Sequence, residues 1–541
     1  MGVWGRRPQL GSRGQSPLAF LMLKGALTVG AWTAASRVAG FARDILIAAM
    51  LGAGPVADAF FVANRLPNLF RRLFGEGAFN AAFVPVFSGL LTTEGEDVAR
   101  GFAEEAAAAL AFWLLMLTLV GEIFMPQLLH VIAAGFARDP AKFALTVTLS
   151  RITFPYLLLI CLAALLSGVL NALNRFVAAA AAPLLYNAFS IAAMLALAHV
   201  LPTAGHALAW GVSASGVAQL ALLYWAVWRG GMTLHLPRPR MTPRMRLLLR
   251  RMAPGLIGAG ITQMNLAMDV FIGSLLPAGS VSLLYYADRV NQLPLGVLGT
   301  AVGTALLPLL SRQVSAGEAD AATDSQNRAI EYALVLTLPA AFALAITADP
   351  IMQVLFARGA FSHHAASLSA QSLAAYSSGL PAFVLVKVLA PGFFARGDTT
   401  TPVRVGLFVL AVNFCLNLAL MAPLKHVGPP LATSIAAWLN VGLLTFMLRR
   451  RDYMRPDRVL YSRLARMLAA TLLMSAALLA ARLVLVPLPG RHVSVVALGA
   501  LIAVGLAAYG GLAQTLGVLD AASYVRRGMA RLLRTQYQRP K

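Results

Sequence analysis

Four arginines lie within or beside apolar sequence near the start of the chain. Arg37 and Arg43 are part of the segment SRVAGFARD at residues 36–44, and Arg71 and Arg72 follow the next apolar run. A charge near the centre of a bilayer costs about 2.5–3.5 kcal/mol on insertion scales, so such residues normally face a water-filled cavity or a bound partner. Planar guanidinium groups bind phosphate oxygens in pairs. The cluster therefore predicts a site for an anion.

The spacing of the first two arginines constrains the helix that carries them. Arg37 and Arg43 are six residues apart, which places them about 240° apart around a straight helix. They share one face only if the helix is distorted, and Gly40 between them permits a bend. Two alternatives need no cavity: Asp44 or Asp58 could neutralise Arg43, and Arg37 could extend to the lipid headgroups. The sequence alone leaves these interpretations open.

The composition predicts that a bilayer surrounds this chain. Of 541 residues 59% are hydrophobic and 12% are charged, and the mean hydropathy is +0.73. Apolar runs of about 18 or more residues recur along the chain, each long enough to cross the hydrocarbon layer as a helix. The runs lie near residues 27–50, 57–88, 103–125, 144–172, 177–200, 206–228, 250–276, 281–311, 328–348, 365–395, 402–423, 428–448, 464–487 and 493–516. The fold class predicted is all-α, a polytopic membrane protein of about 14 transmembrane helices.

The net charge of +23 follows the expected topology of such a protein. Arginines crowd the N-terminus, the connections at 229–251 and 449–466, and the C-terminal tail, whereas the connections between them carry little charge. The positive-inside rule then places both termini in the cytoplasm, which agrees with an even number of spans. The basic connections also favour contact with anionic membrane lipids, and no nucleic acid partner is expected.

The chain repeats part of its own pattern. Residues 63–88 and 287–311 both begin with Ala-polar-Arg, continue to a proline and end in apolar-apolar-Pro-apolar-apolar-Ser. The repeat predicts two pseudo-symmetric six-helix halves, an arrangement typical of alternating-access transporters. In chain order we predict a disordered or mis-assigned N-terminal extension at 1–21, an N-terminal six-helix half at 22–228, a C-terminal six-helix half at 250–448, two accessory helices at 464–516 and a basic cytoplasmic tail at 517–541.

Several motifs together resemble one family of membrane transporters. They are SRVAGFARD, the segment ADAFFVANRLPNLFRRLFGEGAFNAAFVPV, YYADR at 285–289 with GTALLPLLS after it, and VKVLAPGFFARGDTTTP at 386–402. The chain resembles the MurJ (MviN) family of the MOP superfamily, the lipid II flippases. The resemblance implies a 14-helix transporter of the bacterial cytoplasmic membrane, not an enzyme. Its task would be to move the undecaprenyl-pyrophosphate-linked peptidoglycan precursor lipid II to the outer leaflet by alternating access.

The resemblance also implies roles for individual residues. The substrate-binding arginines would be Arg37, Arg43, Arg71 and Arg289, which we expect to converge on one hydrated cavity. Gate or ion-pair roles fall to Asp44, Asp58 and Asp288. Where close relatives often carry an acid after the YADR arginine, this chain has Gln292, so a carboxylate role is not carried over to that position.

A cation site is a further prediction. Asp269, Asn413, Asn417 and Thr433 lie in apolar runs and could supply oxygen ligands to a monovalent cation, or they could form an interhelical hydrogen-bond set. No metal site and no cofactor are predicted, and transport would be coupled to Na⁺ or H⁺ or driven by the membrane potential alone. The chain has no nucleotide-binding P-loop, no HExxH motif and no nucleophile triad, so no catalytic residue is predicted.

The expected partners are lipid II, anionic membrane lipids and the cell-wall synthesis machinery. Alternative functions are a flippase for another polyprenyl-pyrophosphate glycan, which carries the same anionic group, and a MATE-like exporter. Exporters of organic cations need carboxylates in the cavity, whereas arginines predominate in the first two spans here. A non-transporting scaffold is another alternative, and it predicts that Arg37, Arg43 and Arg289 can be replaced by neutral residues without loss of viability.

Overall fold

The computed structural model describes residues 17–72, 78–486 and 493–518. These residues form α-helices joined by short connections, and no strand occurs among them. The helices are α1 Pro17–Leu51, α2 Pro55–Arg71, α3 Ala78–Thr93, α4 Glu96–Ile123, α5 Met125–Ile132, α6 Pro140–Thr153, α7 Tyr156–Ala172, α8 Phe176–Leu197, α9 Ala204–Arg229, α10 Pro243–Leu275, α11 Ser280–Ser315, α12 Ala319–Phe356, α13 His363–Ser377, α14 Leu380–Phe394, α15 Thr400–Leu424, α16 Gly428–Arg450, α17 Arg458–Leu485 and α18 Val495–Thr515.

The predicted membrane character is confirmed in its coarse form. Within the described ranges, nine helical stretches are long and apolar enough to cross a membrane. They are Glu96–Ile123, Pro140–Ala172, Phe176–Leu197, Ala204–Arg229, Ala319–Phe356, His363–Phe394, Thr400–Arg450, Arg458–Leu485 and Val495–Thr515. The protein is therefore an all-helical, multi-pass membrane protein, and the total of fourteen spans stays a prediction.

Three other long helices carry most of the predicted site residues. Helices α1, α10 and α11 contain 35, 33 and 36 residues, and each can extend about 50 Å at 1.5 Å per residue. Arg37 and Arg43 lie in α1, Asp269 lies in α10, and Asp288 and Arg289 lie in α11.

Prolines divide two of the predicted apolar runs. The run 144–172 forms α6 and α7, which separate at residues 154–155, where Pro155 precedes the first turn of α7. The run 365–395 forms α13 and α14, which separate at residues 378–379. The run 57–88 forms α2 and α3, and residues 73–77 between them lie outside the described chain. Proline lacks the backbone donor that a continuous helix needs, so a count of apolar runs misses such breaks.

The described residues form two compact units, each built from separate stretches of chain. Unit 1 falls within Met1–Asp44, Leu66–Ile123 and Arg151–Ala259. Unit 2 falls within Ile45–Arg65, Phe124–Ser150 and Gly260–Lys541. The domain boundaries predicted from the repeat stay predictions.

The two ends of the sequence are only partly described. Helix α1 begins at Pro17, inside the predicted extension 1–21, and proline is favoured in the first turn of a helix because its missing N–H is not needed there. The rest of that extension, residues 1–16, lies outside the described chain, as do residues 519–541 of the predicted tail.

Each unit has its own buried core. In unit 1 the rings of Phe79, Phe83 and Phe87 stack along α3, and Phe83 also stacks on Phe102 of α4. In unit 2 the apolar side chains of α11, α12, α14 and α16 form one cluster, in which Leu448 is fully buried. These cores fix the helices that position the polar groups described below.

A glycine allows two backbone segments of unit 2 to touch. Gly359, in the connection after α12, has a φ of +59°, and a β-carbon on it would lie 2.2 Å from the carbonyl oxygen of Ala49. The neighbouring Ala360 N–H donates to that same oxygen at 2.7 Å. The connection after α12 is thus bonded directly to the last turn of α1.

Replacing Gly359 with alanine should lower the stability of the protein. The new side chain would overlap the Ala49 carbonyl, and the left-handed backbone alone costs about 1–3 kcal/mol for a residue other than glycine. We expect a lower melting temperature in detergent. Gly397→Ala is the matched control, because Gly397 also has a positive φ but no atom within 4 Å of its β-position. Equal melting temperatures for the two variants would contradict the close approach.

Candidate substrate and ion sites

Arg43 and Asp44 form a buried ion pair on α1 in unit 1. Nη2 of Arg43 lies 2.7 Å from Oδ1 of Asp44, and Nε lies 3.2 Å from the same oxygen. Arg43 is 8% exposed and Asp44 is fully buried. Asp44 therefore neutralises Arg43, as one of the sequence alternatives proposed, and it also fixes the direction of the guanidinium.

Helix α8 supports this part of α1. The guanidinium carbon of Arg43 lies 5.0 Å from the ring centre of Tyr186, in cation–π contact. The next residue, Asn187, donates from Nδ2 to the backbone oxygen of Ser36 at 3.0 Å. Adjacent side chains of α8 thus hold α1 on both sides of Gly40, and α1 continues as a helix through that glycine.

The other predicted arginines lie in different surroundings. Arg37 is exposed on α1, and Arg71 is half-buried at the end of α2, where its Nε donates to Oδ1 of Asn68 at 3.1 Å. These two belong to unit 1, whereas Arg289 is half-buried on α11 in unit 2. Convergence of the four arginines on one cavity stays a prediction.

Asp58 joins α2 to two other parts of unit 2. Its Oδ2 accepts from Nζ of Lys142 and from the backbone N–H of Gly279, both at 2.7 Å. Its Oδ1 accepts from the backbone N–H and the hydroxyl of Ser282, both at 2.9 Å. Asp58 is fully buried, and the ammonium of Lys142 lies 3.8 Å from the ring centre of Phe136. Asp58 therefore forms a buried ion pair and caps the first turn of α11, while a gating role stays a prediction.

A polar cavity of 210 Å³ lies within unit 2. Arg65 of α2 faces it together with two carboxylates, Asp269 and Asp288, and the hydroxyl residues Tyr376 and Thr433. Its volume is sufficient for several water molecules. Carboxylate and hydroxyl oxygens suit a hard cation, but the guanidinium competes with any cation for the same negative charge.

The structure divides the predicted cation ligands into two groups. Asp269 and Thr433 line the cavity. Asn417 instead donates from Nδ2 to the backbone oxygen of Asn413 at 2.8 Å, and Asn413 donates to Oδ1 of Asn265 at 3.4 Å. The asparagines thus match the alternative of an interhelical hydrogen-bond set.

Sequence reasoning missed three residues of these sites. Lys142 pairs with an aspartate 84 residues away, so no local pattern reveals it. Tyr186 is an ordinary aromatic residue in an apolar run. Arg65 could have been found, because the internal repeat aligns it with Arg289 at the start of each repeated segment.

Ionisable side chains buried in membrane-spanning helices mark substrate and ion pathways. The Arg43–Asp44 pair, the Asp58–Lys142 pair and the polar cavity are buried ionisable groups of a multi-pass membrane protein, so the chain has the properties of a membrane transporter. Residues 47–495 match the family described as "Lipid II flippase MurJ". The protein belongs to the MurJ family.

Curated relatives agree with this assignment. The chain is 46% identical over 462 residues to a "Probable lipid II flippase MurJ" of Rhizobium meliloti (strain 1021), covering 84% of this chain and 86% of the relative. It is 36% identical over 444 residues to the "Lipid II flippase MurJ" of Burkholderia cenocepacia, covering 81% of this chain and 85% of the relative. These relatives are named as flippases, which are transporters and not enzymes.

Solved structures show the same fold. A lipid II flippase MurJ in an inward closed conformation matches with a TM-score of 0.75 at 22% identity, covering 90% of this chain and 98% of that one. An inward-facing multidrug resistance MATE family transporter of the MOP superfamily matches with a TM-score of 0.61 at 13% identity, covering 77% and 95%. The chain therefore has the fold that these two solved structures share.

Proposed function

We propose that this protein flips lipid II from the cytoplasmic to the periplasmic leaflet of the bacterial cytoplasmic membrane. The observation that carries the proposal is the family match over residues 47–495. Relatives that are named as lipid II flippases also match this chain over most of their length. The chemistry of the arginines suits that substrate. The pyrophosphate diester of lipid II offers about two negative charges and several acceptor oxygens, for which arginine is the best-matched side chain.

Arg43 is the proposed centre of the pyrophosphate site, with Arg37, Arg71 and Arg289 as further donors in an arginine-lined cavity. Two features support this role for Arg43. Its guanidinium is buried on α1, and Asp44 and Tyr186 hold its orientation before substrate arrives. A donor that is already oriented loses less conformational entropy when it binds.

The proposed architecture is the one the sequence predicts. It has fourteen spans in two pseudo-symmetric six-helix halves, followed by the α17–α18 pair, with both termini in the cytoplasm. The repeat at 63–88 and 287–311 and the arginine-rich connections support this arrangement. Transport would follow an alternating-access cycle, in which the substrate site opens to one side of the membrane at a time.

The membrane potential is the proposed driving force. With the cell interior negative, moving two negative charges outward is favourable by roughly 4–5 kcal/mol per 100 mV if they cross the full field. The return of an empty cationic site is favourable in the same field. The polar cavity with Asp269 and Asp288 is the proposed place where Na⁺ or H⁺ would act if either is coupled to transport.

Discharging the potential should slow lipid II flipping even when the ion gradients are kept. The measurement is the rate of flipping in cells or vesicles treated with a potassium ionophore at constant Na⁺ and pH gradients. Asp269→Asn is the companion variant, and under the proposal its flipping keeps the same dependence on the potential as that of the unsubstituted protein. Two results would assign the driving force to the cation instead. Flipping could continue unchanged without a potential, or the flipping rate could depend on Na⁺ or pH in the unsubstituted protein but not in Asp269→Asn.

A depletion experiment tests the substrate. Loss of this protein should cause lysis, with lipid II accumulating in the inner leaflet. If the substrate were another polyprenyl-pyrophosphate glycan, depletion would instead remove a surface polysaccharide and leave lipid II turnover intact. Anionic lipids at the basic connections 229–251 and 449–466, and the enzymes that polymerise lipid II, are the proposed partners.

A further inference from the structure

Helix α12 contains two internal prolines, Pro339 and Pro350. In an α-helix each N–H bonds to the carbonyl four residues earlier, and proline has no N–H. The carbonyls of Val335 and Ile346 therefore lose their helical donors. An unsatisfied carbonyl is costly in an apolar environment, and in membrane proteins neighbouring helices often supply the missing donor.

The C-terminal helices supply a donor to each of these two carbonyls. The hydroxyl of Tyr509, on α18, donates to the oxygen of Val335 at 2.7 Å. Nη1 of Arg482, on α17, donates to the oxygen of Ile346 at 2.6 Å. The match is specific, because the two acceptors are the carbonyls left free by the two prolines.

Packing and charge hold the same helices together over most of their length. Tyr509 is buried in an apolar cluster with Met474 and Leu478, against which Phe342 and Ile346 of α12 pack. Toward the start of α12, the buried carboxylate of Glu331 accepts from Nη1 of Arg463 at 2.7 Å, and Arg328 pairs with Asp457. Helix α12 also packs against α11, α13 and α14, which contribute Asp288, Tyr376 and Phe383 to the polar cavity.

We propose that α17 and α18 act as a clasp that sets the shape of α12, with Tyr509 and Arg482 as the positioning residues. A proline bends a helix and leaves its local geometry less constrained, because one rung of the hydrogen-bond ladder is missing. Tyr509 and Arg482 replace the missing hydrogen bonds with donors from outside the helix. The clasp thereby fixes the geometry at both prolines of the helix that supports the cavity-lining elements, and only the transport readout below rests on the proposed function.

The test uses spin labels at both ends of α12 in the full-length protein. Asp324→Cys, near the start of α12, and Arg358→Cys, two residues after its last residue, carry the labels, after Cys161→Ser and Cys415→Ser remove the native thiols. Tyr509→Phe and Arg482→Met each delete a donor but keep most of the side chain. We expect a broader distance distribution for each than for the controls Tyr461→Phe and Arg458→Met, which alter exposed residues of α17. Lipid II flipping should fall about tenfold, which corresponds to about 1.4 kcal/mol.

A second substitution separates the hydrogen bond from general packing. Pro339→Ala provides an N–H for the Val335 carbonyl, so it should narrow the distribution of Tyr509→Phe but not that of Arg482→Met. Pro350→Ala provides an N–H for the Ile346 carbonyl, so it should narrow the distribution of Arg482→Met but not that of Tyr509→Phe. The proposal would be overturned if the donor variants gave distance distributions as narrow as those of the controls. It would also be overturned if each proline substitution narrowed the distributions of both donor variants equally, or if both donor variants flipped lipid II at the normal rate. If lipid II were not the substrate, the unsubstituted protein would fail to flip it while the distance pattern remained.

Discussion

Arg43→Lys will lose most lipid II flipping while the protein remains folded and in the membrane. Lysine keeps the positive charge, but its ammonium cannot direct two N–H groups to Asp44 or lie flat against Tyr186 as the guanidinium does. Hydrogen bonds to charged groups contribute about 1.5–3 kcal/mol each, so we expect flipping to fall by about tenfold to a hundredfold. The measurement is flipping by a fixed amount of purified protein in vesicles.

Arg100→Lys is the control for the Arg43 variant. Arg100 of α4 also pairs with an aspartate, Asp97, at 2.8 Å, but the Arg100 side chain is 39% exposed and that of Asp97 is 88% exposed. A surface pair of this kind contributes little, so this variant should flip lipid II at the normal rate. Equal activity of Arg43→Lys and Arg100→Lys would mean that charge alone is sufficient at position 43, and that the planar contact has no role.

Lys142→Met will strongly destabilise the protein. It leaves the carboxylate of Asp58 buried without its cation, and removing one partner of a buried ion pair costs about 3–5 kcal/mol. We expect a much lower melting temperature in detergent and little folded protein in the membrane. Lys387→Met, which removes an exposed lysine of α14, should leave the melting temperature close to that of the unsubstituted protein.

The double variant Asp58→Asn with Lys142→Met tests whether the charge causes that loss. It removes both charges, so it should recover part of the stability lost in Lys142→Met alone. Full recovery is not expected, because the asparagine amide cannot accept the hydrogen bonds of both Gly279 and Ser282. If the double variant is no more stable than Lys142→Met, an unpaired charge is not the cause.

Hydrophobic runs predicted the all-helical membrane fold correctly, because the need to satisfy backbone groups within a bilayer leaves few other structures for such runs. They did not predict where helices break. The separations at residues 154–155 and 378–379 depend on Pro155 and Pro381, whose effect is local and is averaged out over a long apolar run. Helix α12 also contains two internal prolines, but it does not break at them. Neighbouring helices supply the donors that its free carbonyls need.

Local adjacency explains which site contacts could be predicted. Arg43 and Asp44 are neighbours in sequence, so their pairing was among the alternatives from the start. The partner of Asp58 is distant in sequence, and only the tertiary structure brings Lys142 of α6 to it. The cavity residues Arg65 and Asp288 likewise come together through tertiary packing, so their types alone do not specify one site.

We propose that this protein carries lipid II across the membrane. The most direct measurement is the fraction of lipid II in intact cells that a membrane-impermeant probe can reach, before and shortly after rapid depletion of the protein. We predict that the reachable fraction falls sharply on depletion, and that it is restored by the unsubstituted protein but not by Arg43→Lys. An unchanged reachable fraction after depletion, while total lipid II is constant, would contradict the claim.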